Sequence, residues 1–143
     1  MSFWPYENWI AVNDKLNRAS AVITMLKEET YGDEVGKILN VSCMSIVNFT
    51  EIASYYALKG WSRKQIENLL SDLPIEIVDV DLEVSWMVAM WRPTTDKIAG
   101  VGIADRYCMA LAKQKNCAAW TADQAWQKVA DSIGVKIHLI RQS

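Results

Sequence analysis

Residues 100–126 read GVGIADRYCMALAKQKNCAAWTADQAW, a stretch that joins a helix to a strand. Apolar residues recur three and four positions apart over residues 105–115, which is typical of a helix with one buried face. The apolar run at 117–120 then predicts a short buried strand, and a further helix begins at Asp123 and ends at Gly134. Helices that lead directly into strands indicate an α/β fold.

The same alternation extends over the rest of the chain. Apolar patterning predicts further strands at residues 9–12, 41–47, 75–80 and 135–140, and further helices at residues 20–29, 33–39, 48–60, 62–70 and 82–91. Pro93 is expected to end the last of these helices, with a loop at 92–103. Such alternation predicts a three-layer α/β/α sandwich around a central, mainly parallel sheet, because helical crossovers join parallel strands.

The length and composition of the chain indicate its number of domains and the redox state of its compartment. The chain has 143 residues, of which 51% are hydrophobic and 22% charged, so we expect one globular domain over residues 1–143. Residues 1–9 form an atypical aromatic N-terminal extension of it. The three cysteines show no CxxC spacing, which argues against a structural zinc site and favours a reducing compartment.

The charge balance limits the possible partners. A formal net charge of −2 argues against broad, sequence-independent adhesion to nucleic acid. It is compatible with a nuclease that meets phosphate through metal ions held by carboxylates. Neither a membrane span nor a signal peptide is evident in the sequence, so we expect a cytoplasmic protein with no membrane partner.

Three carboxylates follow predicted strands: Glu51, Asp105 and Asp123. In a parallel sheet the carboxyl ends of the strands share one edge, where ligands bind, so these acids are expected to converge. Clustered acids repel one another unless cations neutralise them, and Mg²⁺ and Mn²⁺ prefer oxygen ligands. This chemistry suits the hydrolysis of phosphodiester bonds.

Each acid also has an ordinary structural interpretation. Asp105 could simply interact with the positive end of its helix, and Asp123 could be an N-cap beside Thr121. Glu51 could be a solvated helix residue. The occurrence of all three acids after successive strands favours a functional cluster over these separate interpretations.

The runs around the acids, SIVNFTEIASYYALKG, GIADRYCMALAKQKN and WTADQAW, resemble the PIN-domain ribonucleases, in particular the VapC-like toxins of type II toxin–antitoxin systems. The resemblance implies an Mg²⁺- or Mn²⁺-dependent endoribonuclease with RNA as substrate, and Glu51, Asp105 and Asp123 as catalytic and metal-ligating residues. Thr121 and Ser20 would support them. It also implies a homodimer and a small antitoxin whose C-terminal segment covers the pocket.

The chain departs from the family pattern at its first acidic motif. The position two residues before Ser20, where the family has aspartate, holds Arg18. Asp14 supplies the missing acid if residues 15–18 are an insertion between strand and helix. Alternatively, Arg18 occupies the metal site and pairs with Asp105 or Glu51, because a guanidinium cannot ligate a cation. The protein would then be a catalytically silent PIN-fold binding or interaction module.

Basic residues border the segment before Asp105. Arg92, Lys97 and Arg106 are candidates for holding RNA phosphates that flank the acidic pocket, with a solvated surface as the ordinary alternative. A nucleotide-binding flavodoxin-like domain is a weaker interpretation, because no glycine-rich phosphate loop follows the first predicted strand.

Overall fold

The computed structural model describes residues 8–10, 42–71, 75–98, 101–121 and 124–139. In chain order the described elements are β1 Asn8–Ile10, β2 Ser42–Ser45, α1 Ile46–Leu58, α2 Arg63–Ser71, β3 Ile75–Val78, α3 Leu82–Ile98, α4 Ile103–Lys115, β4 Ala118–Thr121, α5 Ala125–Ile133 and β5 Lys136–Leu139. The predicted helices at 20–29 and 33–39 lie outside the described residues.

The five strands form one parallel sheet in the order β3-β2-β1-β4-β5. β1 is central and pairs with strands from both halves of the chain: Asn8 lies opposite Ser42 on one side and Ala118 on the other. The chain adds β2 and β3 on one side of β1, and β4 and β5 on the other. The boundary between β1 and β4 is therefore a topological switch point, where α/β proteins bind ligands at the carboxyl ends of the strands.

The α/β class and the parallel sheet confirm the sequence prediction, while the three-layer arrangement stays a prediction. Asn8 and Trp9, expected in an N-terminal extension, belong to β1. None of the helices in the described ranges is long and apolar enough to cross a membrane.

Local sequence explains where several helices begin and end. Ser45 caps α1 by accepting the backbone N–H of Asn48 at 3.0 Å. Before α2, Ser62 and Gln65 form the predicted capping box, in which each side chain accepts the backbone N–H of the other residue. Gly134 ends α5 in the left-handed conformation, with φ +68°, as predicted.

The expected helix end at Pro93 is wrong. α3 continues to Ile98 with Pro93 inside it, so residues 92–98 are helical rather than part of a loop. Proline removes the N–H that would bond to the carbonyl of Ala89. The guanidinium of Arg106 in α4 donates to the neighbouring carbonyl, that of Val88, at 2.5 Å. This hydrogen bond from α4 stabilises α3 beside the position where Pro93 interrupts its backbone hydrogen bonds.

The core centres on α4, which contacts β1, β2, β4, α1 and α3. Most of the α4 residues are buried, including Cys108, Met109 and Leu111, and the fully buried Trp126 of α5 belongs to the same cluster. α4 is thus held by neighbours on several sides, and this fixes the position of its first turn.

Candidate active site

The carboxyl end of β2 meets the first turn of α4 through a buried polar network. Ser45, the last residue of β2, donates its hydroxyl to Oδ1 of Asn48. The amide Nδ2 of Asn48 donates in turn to the backbone carbonyl of Ala104, at 3.0 Å. All three residues are fully buried. The beginnings of α1 and α4 therefore lie together at the carboxyl edge of the sheet.

Glu51 lies on α1, one turn beyond Asn48. Residues three apart share a helix face, so Glu51 follows Asn48 on the side of α1 that is turned toward α4. Its side chain is partly buried rather than fully solvated. The interpretation of Glu51 as an ordinary surface residue is weakened by this position.

Asp105 lies in the first turn of α4, next to Ala104. It is 1% exposed, and its Oδ2 accepts the backbone N–H of Gly102 at 3.3 Å. The helix start attracts negative charge, as the structural interpretation of Asp105 expected. A role limited to capping does not require burial, however, and burying a carboxylate carries a large desolvation cost.

Thr121 is the last residue of β4 and is fully buried. β4 pairs with β1, so Thr121 lies at the carboxyl edge beside the topological switch point. The predicted supporting hydroxyl is thus at the same sheet edge as the beginnings of α1 and α4. Asp123 lies two residues further along the chain, outside the described residues.

Three other residues of the first predicted motif, Asp14, Arg18 and Ser20, also lie outside the described residues. Within the ranges that the structure describes, no three His, Cys, Asp or Glu side chains form a group that could hold a metal ion. Of the predicted site acids, the structure describes Glu51 and Asp105.

The donor atoms at this edge have the chemistry that a hard cation requires. Glu51 and Asp105 offer carboxylate oxygens and Thr121 a hydroxyl, which suit Mg²⁺ or Mn²⁺. The three cysteines of the chain are buried, and burial raises the pKa of the Cys117 thiol, so this thiol stays protonated at neutral pH. The residues present therefore fit a magnesium or manganese ion better than a thiolate-bound metal.

The three basic candidates occupy different environments. Arg106 is buried, its guanidinium donates to Val88, and burial lowers the pKa of this group; it packs between helices instead of facing solvent. Arg92 is exposed and forms an ion pair with Asp96 at 3.3 Å. Lys97 is exposed as well. Arg92 and Lys97 therefore stay candidates for contacting phosphate, whereas the position of Arg106 does not favour this role.

An apolar groove of about 560 Å³ lies between α1 and α2, apart from the predicted acidic site. Its walls are mainly apolar, and Arg63 and Glu67, which form an ion pair at 2.6 Å, lie at its margin. Among the predicted site residues that the structure describes, none lines this groove.

Sequence reasoning missed Asn48 as part of the site. One signal was present: Asn48 shares a helix face with Ile52 and Tyr56, and both are buried. A polar residue at a core position of an apolar stripe must find hydrogen-bond partners inside the protein. The sequence alone could not indicate that the partner would be the Ala104 carbonyl, 56 residues away.

Residues 19–132 match the PIN domain family. The match covers most of the chain, and the chain belongs to this family. PIN domains are commonly nucleases, which usually use divalent metal ions. The matched region includes Glu51, Asp105 and Asp123 but begins immediately after Arg18. No curated protein matches the chain at a significant level.

Proposed function

We propose that the protein is a metal-dependent endoribonuclease that hydrolyses RNA phosphodiester bonds in the cytoplasm. Glu51, Asp105 and Asp123 are its catalytic acids and metal ligands, with Asp14 as a fourth acid. The whole chain forms one PIN-like domain with a three-layer sandwich. The proposal refines the nuclease class that family membership supports.

One observation carries this proposal. The Ser45–Asn48–Ala104 network joins the beginnings of α1 and α4, which bear Glu51 and Asp105, at the carboxyl edge of a parallel sheet. These two acids are 54 residues apart in the chain (105 − 51). Carboxylates that approach one edge from distant segments repel each other, and a bound cation offsets that repulsion.

The roles of the residues follow from their positions. The carboxylates of Glu51, Asp105 and Asp123 would hold the metal, and the Thr121 and Ser20 hydroxyls would orient them by hydrogen bonding. When bound, Mg²⁺ or Mn²⁺ lowers the pKa of a water molecule and offsets charge on the phosphodiester. Arg92 and Lys97 would hold flanking phosphates.

The direct test is cleavage of single-stranded RNA. We expect cleavage in the presence of Mn²⁺ or Mg²⁺, none in EDTA, and recovery when metal is added back. Uniformly labelled RNA separated on a denaturing gel would show internal cuts and distinguish them from trimming at the ends. Metal-independent cleavage, or none in any metal, would contradict the proposal.

The alternative function is a catalytically silent binding or interaction module. It is favoured by Arg18, which stands in the first acidic position of the family pattern. Substituting Arg18→Asp distinguishes the two: a silent module gains metal binding, whereas an active enzyme that uses Asp14 already binds metal before the change. The matched substitution Asp14→Asn abolishes that binding only in the second case.

A VapC-like toxin function would add two partners, an antitoxin and a second copy of the chain. The family resemblance supports both. The antitoxin prediction is that its C-terminal segment covers the acidic edge and blocks cleavage. Coexpression of the protein with the products of flanking genes, followed by purification and an RNA cleavage assay, tests this inhibition.

The homodimer is supported by an apolar stripe on α3. Leu82, Trp86 and Met90 lie on one helix face and are 71%, 57% and 67% exposed. Two antiparallel copies of α3 that cross at Trp86 would cover the stripe and place Leu82 of each copy beside Met90 of the other. Trp86→Asp should shift a dimer seen by light scattering to the monomer, because it puts two like charges at the centre of the contact.

A further inference from the structure

Asn48 combines three properties that ordinary helix residues do not share. It lies in the first turn of α1, its side chain is fully buried, and its amide group bonds in two directions. Asparagine is a poor helix former, and a buried amide is costly unless its hydrogen bonds are satisfied. This residue type at this position therefore requires an explanation beyond helix formation.

Capping does not provide that explanation. Ser45 already caps α1 by accepting the backbone N–H of Asn48, so the amide side chain is not needed at the helix start. At the other end, Ala104 lies inside α4, and its carbonyl belongs to the hydrogen-bond ladder of that helix. The bond from Asn48 is an additional one, which the second lone pair of this carbonyl accepts.

What the amide does is fix a distance. It holds the first turn of α1 and the first turn of α4 at the length of one hydrogen bond, 3.0 Å from Nδ2 to the Ala104 carbonyl oxygen. Glu51 lies one turn beyond Asn48, and Asp105 is the residue after Ala104. Any change at Asn48 thus reaches both acids through short, rigid stretches of helix.

We propose that Asn48 is a positioning residue that sets the separation of the Glu51 and Asp105 carboxylates and thereby the affinity of the site for a divalent cation. This inference rests on the proposed function. Asn48 contacts the two helices and needs no contact with RNA. Its loss should therefore weaken metal binding and turnover, and leave the binding of RNA itself unchanged.

The test compares Asn48→Leu and Asn48→Ala with Ile133→Ala. Leucine keeps the branched shape of asparagine, with somewhat larger volume, but removes both side-chain hydrogen bonds, and alanine removes most of the side chain as well. Ile133 is buried at the end of α5, which is the end away from the carboxyl edge, so its truncation weakens the core without touching the acids. Thermal melts of the wild type and the three variants are used to select an assay temperature at which all four proteins are folded.

The readouts are Mn²⁺ affinity by calorimetry, and kcat and KM for RNA cleavage. We expect both Asn48 variants to bind Mn²⁺ about 10- to 100-fold more weakly and to lose kcat at subsaturating metal, with KM for RNA unchanged, because outer-sphere residues have effects of this size. Ile133→Ala should match the wild type in both readouts despite its lower Tm.

The possible failures are distinguishable. If the wild type binds no Mn²⁺, the proposed function is wrong and the role of Asn48 is wrong with it. If the wild type binds Mn²⁺ and both Asn48 variants bind it equally well, only the positioning role is wrong. An equal loss of affinity in Ile133→Ala would also overturn it, because general destabilisation would then be the cause.

Discussion

Two aspartates at the beginnings of neighbouring helices have opposite environments. Asp81 stands directly before α3, is exposed, and accepts the backbone N–H of Val84 at 2.9 Å and the side-chain amide of Gln114 at 3.1 Å. Asp105 lies in the first turn of α4 and is almost completely buried. Its bond to the N–H of Gly102 is longer, at 3.3 Å.

The difference separates a structural acid from a functional candidate. The hydrogen bonds of Asp81 are those of an ordinary N-cap, and an N-cap residue can perform this role while exposed to solvent. Asp105 is buried, and removing a carboxylate from water carries a desolvation cost that an exposed cap such as Asp81 does not have, so the location of Asp105 is the less ordinary of the two. Position at a helix start is therefore a weak guide to function, and burial at the carboxyl edge is a stronger one.

The largest expected effect comes from the same substitution at both positions. Asp105→Asn should lower kcat for RNA cleavage by at least about 100-fold, since outer-sphere changes alone reach 10- to 100-fold. Its Tm should not fall, because a neutral amide of the same shape replaces a buried charge. Asp81→Asn is the matched control and should leave kcat unchanged. Equal activity of the two variants in a gel-based cleavage assay would contradict the assignment of Asp105 as a functional acid and Asp81 as a structural one.

Metal-induced stabilisation should depend on Asp105 and not on Asp81. At a Mn²⁺ concentration 100 times its Kd, binding stabilises the folded protein by about 2.7 kcal/mol. This corresponds to a rise in Tm of roughly 5–10 °C for a protein of this size. Thermal shift should detect the rise in the wild type and in Asp81→Asn but not in Asp105→Asn. A rise in all three proteins would indicate a metal site elsewhere.

A smaller effect is expected when the cap at Asp81 is removed. Asp81→Ala deletes both hydrogen bonds and should lower the Tm by a few degrees, whereas Asp81→Asn should keep most of the stability, because asparagine caps helices about as well as aspartate. Differential scanning calorimetry measures both. A larger loss in the asparagine variant would show that charge rather than hydrogen bonding stabilises this helix start.

The smallest effect concerns pH. The Val84 N–H, the Gln114 amide and nearby Lys115 hold the pKa of Asp81 below its ordinary value of 3.8. Because the folded-state pKa is depressed, the stabilisation is fully present above the unfolded value and is lost as the pH falls through the folded pKa. The stability difference between wild type and Asp81→Asn should thus narrow below about pH 4. Urea titrations at pH 7, 5 and 3.5 test this, and a difference that widens in acid would contradict it.

The sequence predicted features that depend on local chemistry. The Ser62 and Gln65 pair and the left-handed Gly134 act through neighbouring backbone groups, so short patterns reveal them. The continuation of α3 through Pro93 could not be predicted in this way. Next to Pro93, the Arg106 side chain donates a hydrogen bond to the Val88 carbonyl. This contact depends on the packing of α3 on α4, which short sequence patterns do not reveal.

The candidate site divides along the same line. Parallel-strand topology predicted that residues after β2 and β4 would share an edge, and Ser45 and Thr121 lie at the ends of these strands. The Asn48 bond to Ala104 could not be predicted, because it depends on the distance between two helix starts. Pattern and topology therefore indicate which edge carries the site, whereas the spacing of its groups is a product of tertiary packing.

The central position of β1 has a consequence for folding during synthesis. Three residues near the start of the chain complete the middle of the sheet only when Ala118, Ala119 and Trp120 are available to pair with them. During synthesis these partners emerge long after β1, and contacts between distant segments form slowly. A nascent chain must therefore extend beyond Trp120 before the carboxyl edge between β1 and β4 can form.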